Sequence, residues 1–147
     1  MIAKDSTRAR EYAMRIDNQG NVLDKVDIVC HSMGFAYALG IIDILKQAKI
    51  PFGRFYIIAP ENAGSGSVNV NEWEDVWQYG SSEEALKDTP WLQDGVAPQR
   101  PVGNIGTKRA YIPSTEKQGF LESHLIKNYG WIFNVKPGVE GYVTPRK

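Results

Sequence analysis

A serine at a break in an apolar run, two histidines and a handful of carboxylates are the residues in this sequence with chemistry to offer. The apolar run Val26-Asp27-Ile28-Val29-Cys30 breaks at His31-Ser32, and a long apolar helical pattern begins almost at once after it. A serine at such a break is a candidate nucleophile. The sharp strand-to-helix turn pushes Oγ out at the carboxyl end of the strand, and the helix N-terminus supplies N–H groups and positive dipole where an oxyanion would form. The Met33 N–H is the candidate oxyanion donor. A serine nucleophile also needs a base within hydrogen-bond reach and usually an acid to orient that base. The chain has two histidines. His31 adjoins the serine, and its side chain is expected to point away from Oγ as a packing or hydrogen-bonding residue lining the turn. That leaves His124, in Phe120-Leu121-Glu122-Ser123-His124-Leu125, as the candidate base; taken alone it would read as a solvated helix histidine.

The elements that must position these groups follow from periodicity and breakers. Residues 6–16 read as a helix, with Ser6 as N-cap and Ala9, Tyr12, Ala13 and Ile16 on one face. Asp17-Asn18-Gln19-Gly20-Asn21 reads as a turn. Val26 to Cys30 has the length and β-branched content of a buried strand. A helix is predicted from about Met33 to Ala48, apolar almost all round in its first turns and so expected to be buried on most of its surface. Gly34, Ala36, Ala38 and Gly40 are expected to keep it thin against the sheet. Arg54 to Ala59 is the next strand, which completes a βαβ unit. Glu61 to Asn71 is a Gly/Ser/Asn-rich loop, Val76 to Tyr79 a short third strand, and Ser81 to Lys87 a surface turn of helix. Trp91 to Pro101 is irregular, Lys108 to Ile112 is a fourth strand, and a helix is predicted from Gly119 or Phe120 to Asn128.

The 147 residues suffice for one domain with a core, and 42% hydrophobic with 11% aromatic content is too rich for disorder. Seventeen basic and seventeen acidic residues cancel, so the charge balance points to no nucleic-acid or anionic-membrane partner. One cysteine permits no internal disulfide. Met1 to Ser6 lacks the apolar core of a signal peptide, and no run is long enough to span a bilayer, so a complete chain of this sequence is expected to be cytoplasmic. No Cys/His cluster has metal-ligand spacing and no glycine-rich phosphate loop follows a strand, so no cofactor is expected.

Cys30-His31-Ser32-Met33-Gly34 resembles the nucleophile elbow of the α/β-hydrolase family, especially its lipase and esterase branch, with Cys30 where the family usually has its first glycine. The resemblance implies an α/β class: a partial α/β-hydrolase fold, with a mostly parallel sheet of about four strands flanked by helices. It implies a triad in the chain order Ser, acid, His, which places His124 after the last strand as in the family. Gln93-Asp94-Gly95-Val96-Ala97-Pro98 resembles the segment that carries the acid in many of these lipases and esterases, so Asp94 is the first choice. Glu61, just after the second strand, is the runner-up, with Asp75 and Asp88 as further candidates. Asp94 also reads as an Asp-Gly turn, and Asp88 as a turn residue.

The implied activity is hydrolysis of a small-molecule or lipid carboxylic ester through an acyl-enzyme. An acyltransferase or thioesterase would use the same triad, and a hydrolase-like binding or structural module is the alternative from another class. Trp73, Trp77, Tyr79, Trp91 and Phe120 are expected either to form an apolar pocket over the site or, in preference, to pack the core. The resemblance covers only the carboxyl-terminal half of the family's fold, without the strands that precede the elbow and the loop that gives a second oxyanion N–H. The expectation is therefore a fragment of a longer product, or a homodimer through the hydrophobic sheet edge left at Val26–Cys30.

Overall fold

The computed structural model describes residues 15, 17–19, 21–81, 101–106, 108–116, 118 and 122–142. The elements of its sheet are β1 (Val26–His31), β2 (Phe52–Ile58), β3 (Asp75–Ser81) and β4 (Arg109–Tyr111), with one α-helix, α1 (Gly34–Gln47), between the first two strands. The four strands are parallel and lie in the order β1-β2-β3-β4, which makes β1 one edge of the sheet. This is an α/β architecture. Among the described residues no helix is long and apolar enough to cross a membrane.

The period-two alternation of the strands divides two apolar layers. Ile28 and Cys30 of β1, Phe55 and Ile57 of β2 and Val76 of β3 face α1 and pack with its Phe35, Ala38 and Ile42. Trp73 closes the lower end of this layer, its ring 4.4 Å from that of Phe52 and 4.7 Å from that of Phe55. On the opposite face Ile58, Tyr79 and Ala110 pack under Tyr129, Trp131 and Ile132, which belong to short 3₁₀ segments (Ile126–Asn128 and Gly130–Asn134) and the residue between them. Gln78 is a buried polar residue on the α1 face of β3; its Oε1 accepts the Val102 N–H at 2.8 Å and ties the returning chain to β3.

The strand expected to be buried, β1, is instead a sheet edge in which only Cys30 is buried and Val29 is 58% exposed. Three further expectations differ from the structure. First, α1 is buried on one face only: Tyr37 is 78% exposed and Ile41 52%. Of the small residues only Ala38 packs; Ala36 and Gly40 point outward, and a Cβ at Gly34 or Gly40 would meet nothing within 4 Å. Hydrophobicity around a helix reports what its faces tolerate, and the outward face finds no partner among the described residues. Second, no α-helix spans the described part of the predicted 119–128 segment. Glu122–His124 and Ile126–Asn128 are separate 3₁₀ turns, broken at Leu125 (φ −70°, ψ 125°). Side chains have taken the carbonyls that a continued helix would use: Asn128 Nδ2 donates to Glu122 O at 2.6 Å, and His31 Nε2 to His124 O at 2.7 Å. Third, β2 begins earlier than predicted, at Phe52. Gly53 lies beneath the Asp27 carboxylate, which accepts the Arg54 N–H at 2.6 Å, and a side chain there would have to displace that carboxylate.

The predicted turn at 17–21 is present in its described residues, with Asp17 Oδ1 accepting from the Gln19 and Asn21 N–H groups at 2.8 Å. The predicted helix at 6–16 falls, but for Arg15, outside the described residues, and the predicted helical turn at 81–87 does so beyond Ser81.

Candidate active site

The strands end in steps at the site. Ser32 follows β1 directly and adopts a left-handed conformation (φ 56°), and Ala59 does the same after β2 (φ 41°). For a residue with a Cβ this conformation costs about 1–2 kcal/mol, so the neighbours must hold it. They do: the Ser32 N–H donates to Ile58 O at 3.0 Å, and the Ser32 carbonyl accepts from the Glu61 N–H at 3.3 Å. The chain then turns straight into α1, with Met33 as its N-cap (φ −61°, ψ −20°) and no acidic residue in the first turn. No acceptor among the described residues takes the Met33 N–H. This strand–turn–helix arrangement projects Oγ away from the sheet and leaves a dipole of favourable sign beside it.

His124 arrives from the other end of the chain. Its Nε2 lies 2.9 Å from Ser32 Oγ. An imidazole that accepts the serine hydrogen through Nε2 carries its own hydrogen on Nδ1. His31, half-buried, does not contact Oγ, in agreement with expectation; its ring lies 4.7 Å from that of His124 and 6.1 Å from that of Tyr129. The Glu61 carboxylate also reaches the serine, with Oε2 3.4 Å from Oγ. One hydroxyl hydrogen cannot serve both acceptors, and the shorter contact is to His124.

The carboxylates separate by position. Glu61 contacts the hydroxyl and not the imidazole. Asp75 is the first residue of β3, at the amino ends of a parallel sheet whose carboxyl ends carry Ser32. There it accepts from Lys108 Nζ at 2.9 Å and Trp77 Nε1 at 2.8 Å, so it is a structural anchor and not an acid for His124. Asp94 and Asp88 lie outside the described residues.

The aromatic residues do not gather over the serine. Trp73 is in the core beside α1, whereas Trp77 and Tyr79 face the opposite layer, with Trp77 5.3 Å from Tyr142 and Tyr79 6.0 Å from Trp131. Trp91 and Phe120 lie outside the described residues. A cleft of about 630 Å³ opens between Tyr56, Trp77, Phe133 and Tyr142, and it includes none of Ser32, Glu61 and His124. Cys30, buried directly before the elbow, has its thiol pushed up to about 12 by desolvation, which makes it inert as a nucleophile. Among the described residues no group of three or more His, Cys, Asp or Glu side chains is placed to hold a metal ion.

No motif in the sequence marks Tyr129. It is buried under the end of β3, and a Cβ at Gly80 (φ 106°) would come 2.8 Å from its hydroxyl. No family model, curated protein or solved structure matches the chain.

Proposed function

We propose that this chain is a serine hydrolase of the α/β-hydrolase type that cleaves a small-molecule or lipid carboxylic ester through an acyl-enzyme on Ser32. One observation carries the reading: a left-handed serine at a strand–helix turn whose Oγ stands 2.9 Å from the Nε2 of a histidine 92 residues further on. A left-handed conformation in a residue with a Cβ is a strain that clusters at functional sites, and a nucleophile–base contact is the geometry that acyl transfer needs.

In this reading Ser32 Oγ attacks the acyl carbonyl and its proton passes to His124 Nε2. The tetrahedral oxyanion forms beside the Met33 N–H at the start of α1. Collapse breaks the ester C–O bond, and His124 returns the proton to the leaving alkoxide. Water then attacks the acyl-enzyme, giving a proton to His124, and the acid leaves as Ser32 recovers its hydrogen. Asp94 is the residue assigned to hold the Nδ1 hydrogen of His124 and to stabilise the imidazolium.

The test is covalent labelling of the purified chain with a fluorophosphonate, read by intact mass. Stoichiometric labelling that disappears in Ser32→Ala and in His124→Ala is expected. Folded protein that takes up no label would overturn the reading and favour a binding module with a hydrolase-like turn.

A further inference from the structure

Two neighbouring residues grip His124 at opposite ends. Ser32 Oγ meets its imidazole at 2.9 Å, and His31 Nε2 meets its main-chain carbonyl at 2.7 Å. We infer that His31 is a positioning residue for the nucleophile–base pair: its Nε2–H fixes the backbone of His124 to the end of β1, so that the strand that aims Ser32 also sets the reach of the base. This rests on the reading of Ser32 and His124 as nucleophile and base.

Little regular structure surrounds His124. It sits in a three-residue 3₁₀ turn closed by the Leu125 N–H to Glu122 O bond, and the chain leaves helical geometry at Leu125. So short a turn has no run of helix to fix its orientation. His31, in contrast, is held rigidly: it is in register with Ile58 of β2, and the next N–H, that of Ser32, donates to Ile58 O. A carbonyl oxygen is an acceptor only, so in this contact the His31 nitrogen is the donor and its hydrogen lies on Nε2. His124, accepting from Ser32 through Nε2, carries its hydrogen on Nδ1. The two imidazoles, 4.7 Å apart, are therefore opposite tautomers with different duties.

A displacement of about 1 Å in a reacting group costs on the order of 10² in rate, so the brace has a kinetic signature. In His31→Phe the ring is kept and the donor lost; in His31→Gln the amide Nε2–H can reach the same carbonyl. The expected result is a fluorophosphonate labelling rate lowered by about ten- to a hundredfold in His31→Phe, with the thermal midpoint and the KM for a short-chain ester little changed. His31→Gln is expected to recover most of that rate. His31→Phe that labels as fast as wild type, or His31→Gln as slow as His31→Phe, would overturn the inference. A long-range ¹H–¹⁵N spectrum of the unaltered protein reads the same point without a variant: the His31 hydrogen is expected on Nε2, and a hydrogen on Nδ1 alone would overturn the brace. Wild-type protein that never labels would instead sink the assignment of Ser32 and His124, which keeps the two failures distinguishable.

Discussion

Ser32 and His124 meet through a single side-chain contact of 2.9 Å, Oγ to Nε2, across 92 residues of sequence. In the proposed nucleophile–base unit either half would be useless without the other, so their effects are expected to be non-additive. Ser32→Ala and His124→Ala are each expected to lower ester hydrolysis by roughly 10⁴- to 10⁶-fold, and the double variant to fall no further. Steady-state assays on the three variants check this. A double variant well below both singles would mean that the two residues act independently.

The acid is open to a similar comparison. Glu61 reaches the hydroxyl at 3.4 Å but not the imidazole, and it is exposed. An exposed charge 4 Å from a reacting group is worth about 1 kcal/mol in water, so Glu61→Gln is expected to change the acylation rate by less than about tenfold. Loss of the partner that holds the imidazole hydrogen costs about 10⁴ in kcat, and Asp94→Asn is expected to show that loss. Equal effects of the two substitutions would dismiss Asp94 from the role.

These residues also mark how far the sequence could be read. The strand at Val26–Cys30, the break at Ser32 and α1 were legible because a β-branched run, a break and a long apolar helical pattern are local, each written in fewer than fifteen residues. That β1 is a sheet edge with only Cys30 buried is set by which strands pair with it, which no local pattern carries. His124 was legible as a candidate because the chain has so few histidines, although its predicted helix was not there. The break at Leu125 depends on His31 and Asn128 side chains taking the carbonyls of His124 and Glu122, and the His31 bond comes from 93 residues upstream. No local periodicity can carry that. The exposure of one face of α1 is not legible in the sequence for the related reason that hydrophobicity shows what can be buried, not whether anything arrives to bury it.

Two glycines respond in opposite directions. Gly40 lies in the interior of α1, points outward and has open space where a Cβ would go. Gly40→Ala is expected to stabilise the fold by about 1 kcal/mol, the usual helix-interior difference between the two residues. Gly80 sits at φ 106°, where a Cβ would approach the Tyr129 hydroxyl at 2.8 Å and Ala59 at 3.3 Å. Gly80→Ala is expected to cost about 1–3 kcal/mol from strain alone and to loosen the Tyr129 layer beside His31. Denaturant unfolding of both variants reads the signs; a Gly80→Ala protein as stable as wild type would contradict the packing of Tyr129 against the end of β3.

Cys30 gives stability a dependence on alkaline pH. Burial raises its thiol from an ordinary 9.0 to about 12. Between those values the unfolded chain has released a proton that the folded chain keeps, so stability is expected to fall as pH rises from about 9 towards 12. Tyr79, also raised by burial, acts in the same direction at higher pH. Cys30→Ala removes the thiol's share. The variant is expected to be the less stable protein at pH 7, because a core side chain has been cut back, and the gap is expected to narrow as pH passes about 10. Urea midpoints of both proteins across that range measure the gap. A gap that stays constant would mean that the thiol is not held neutral by the fold.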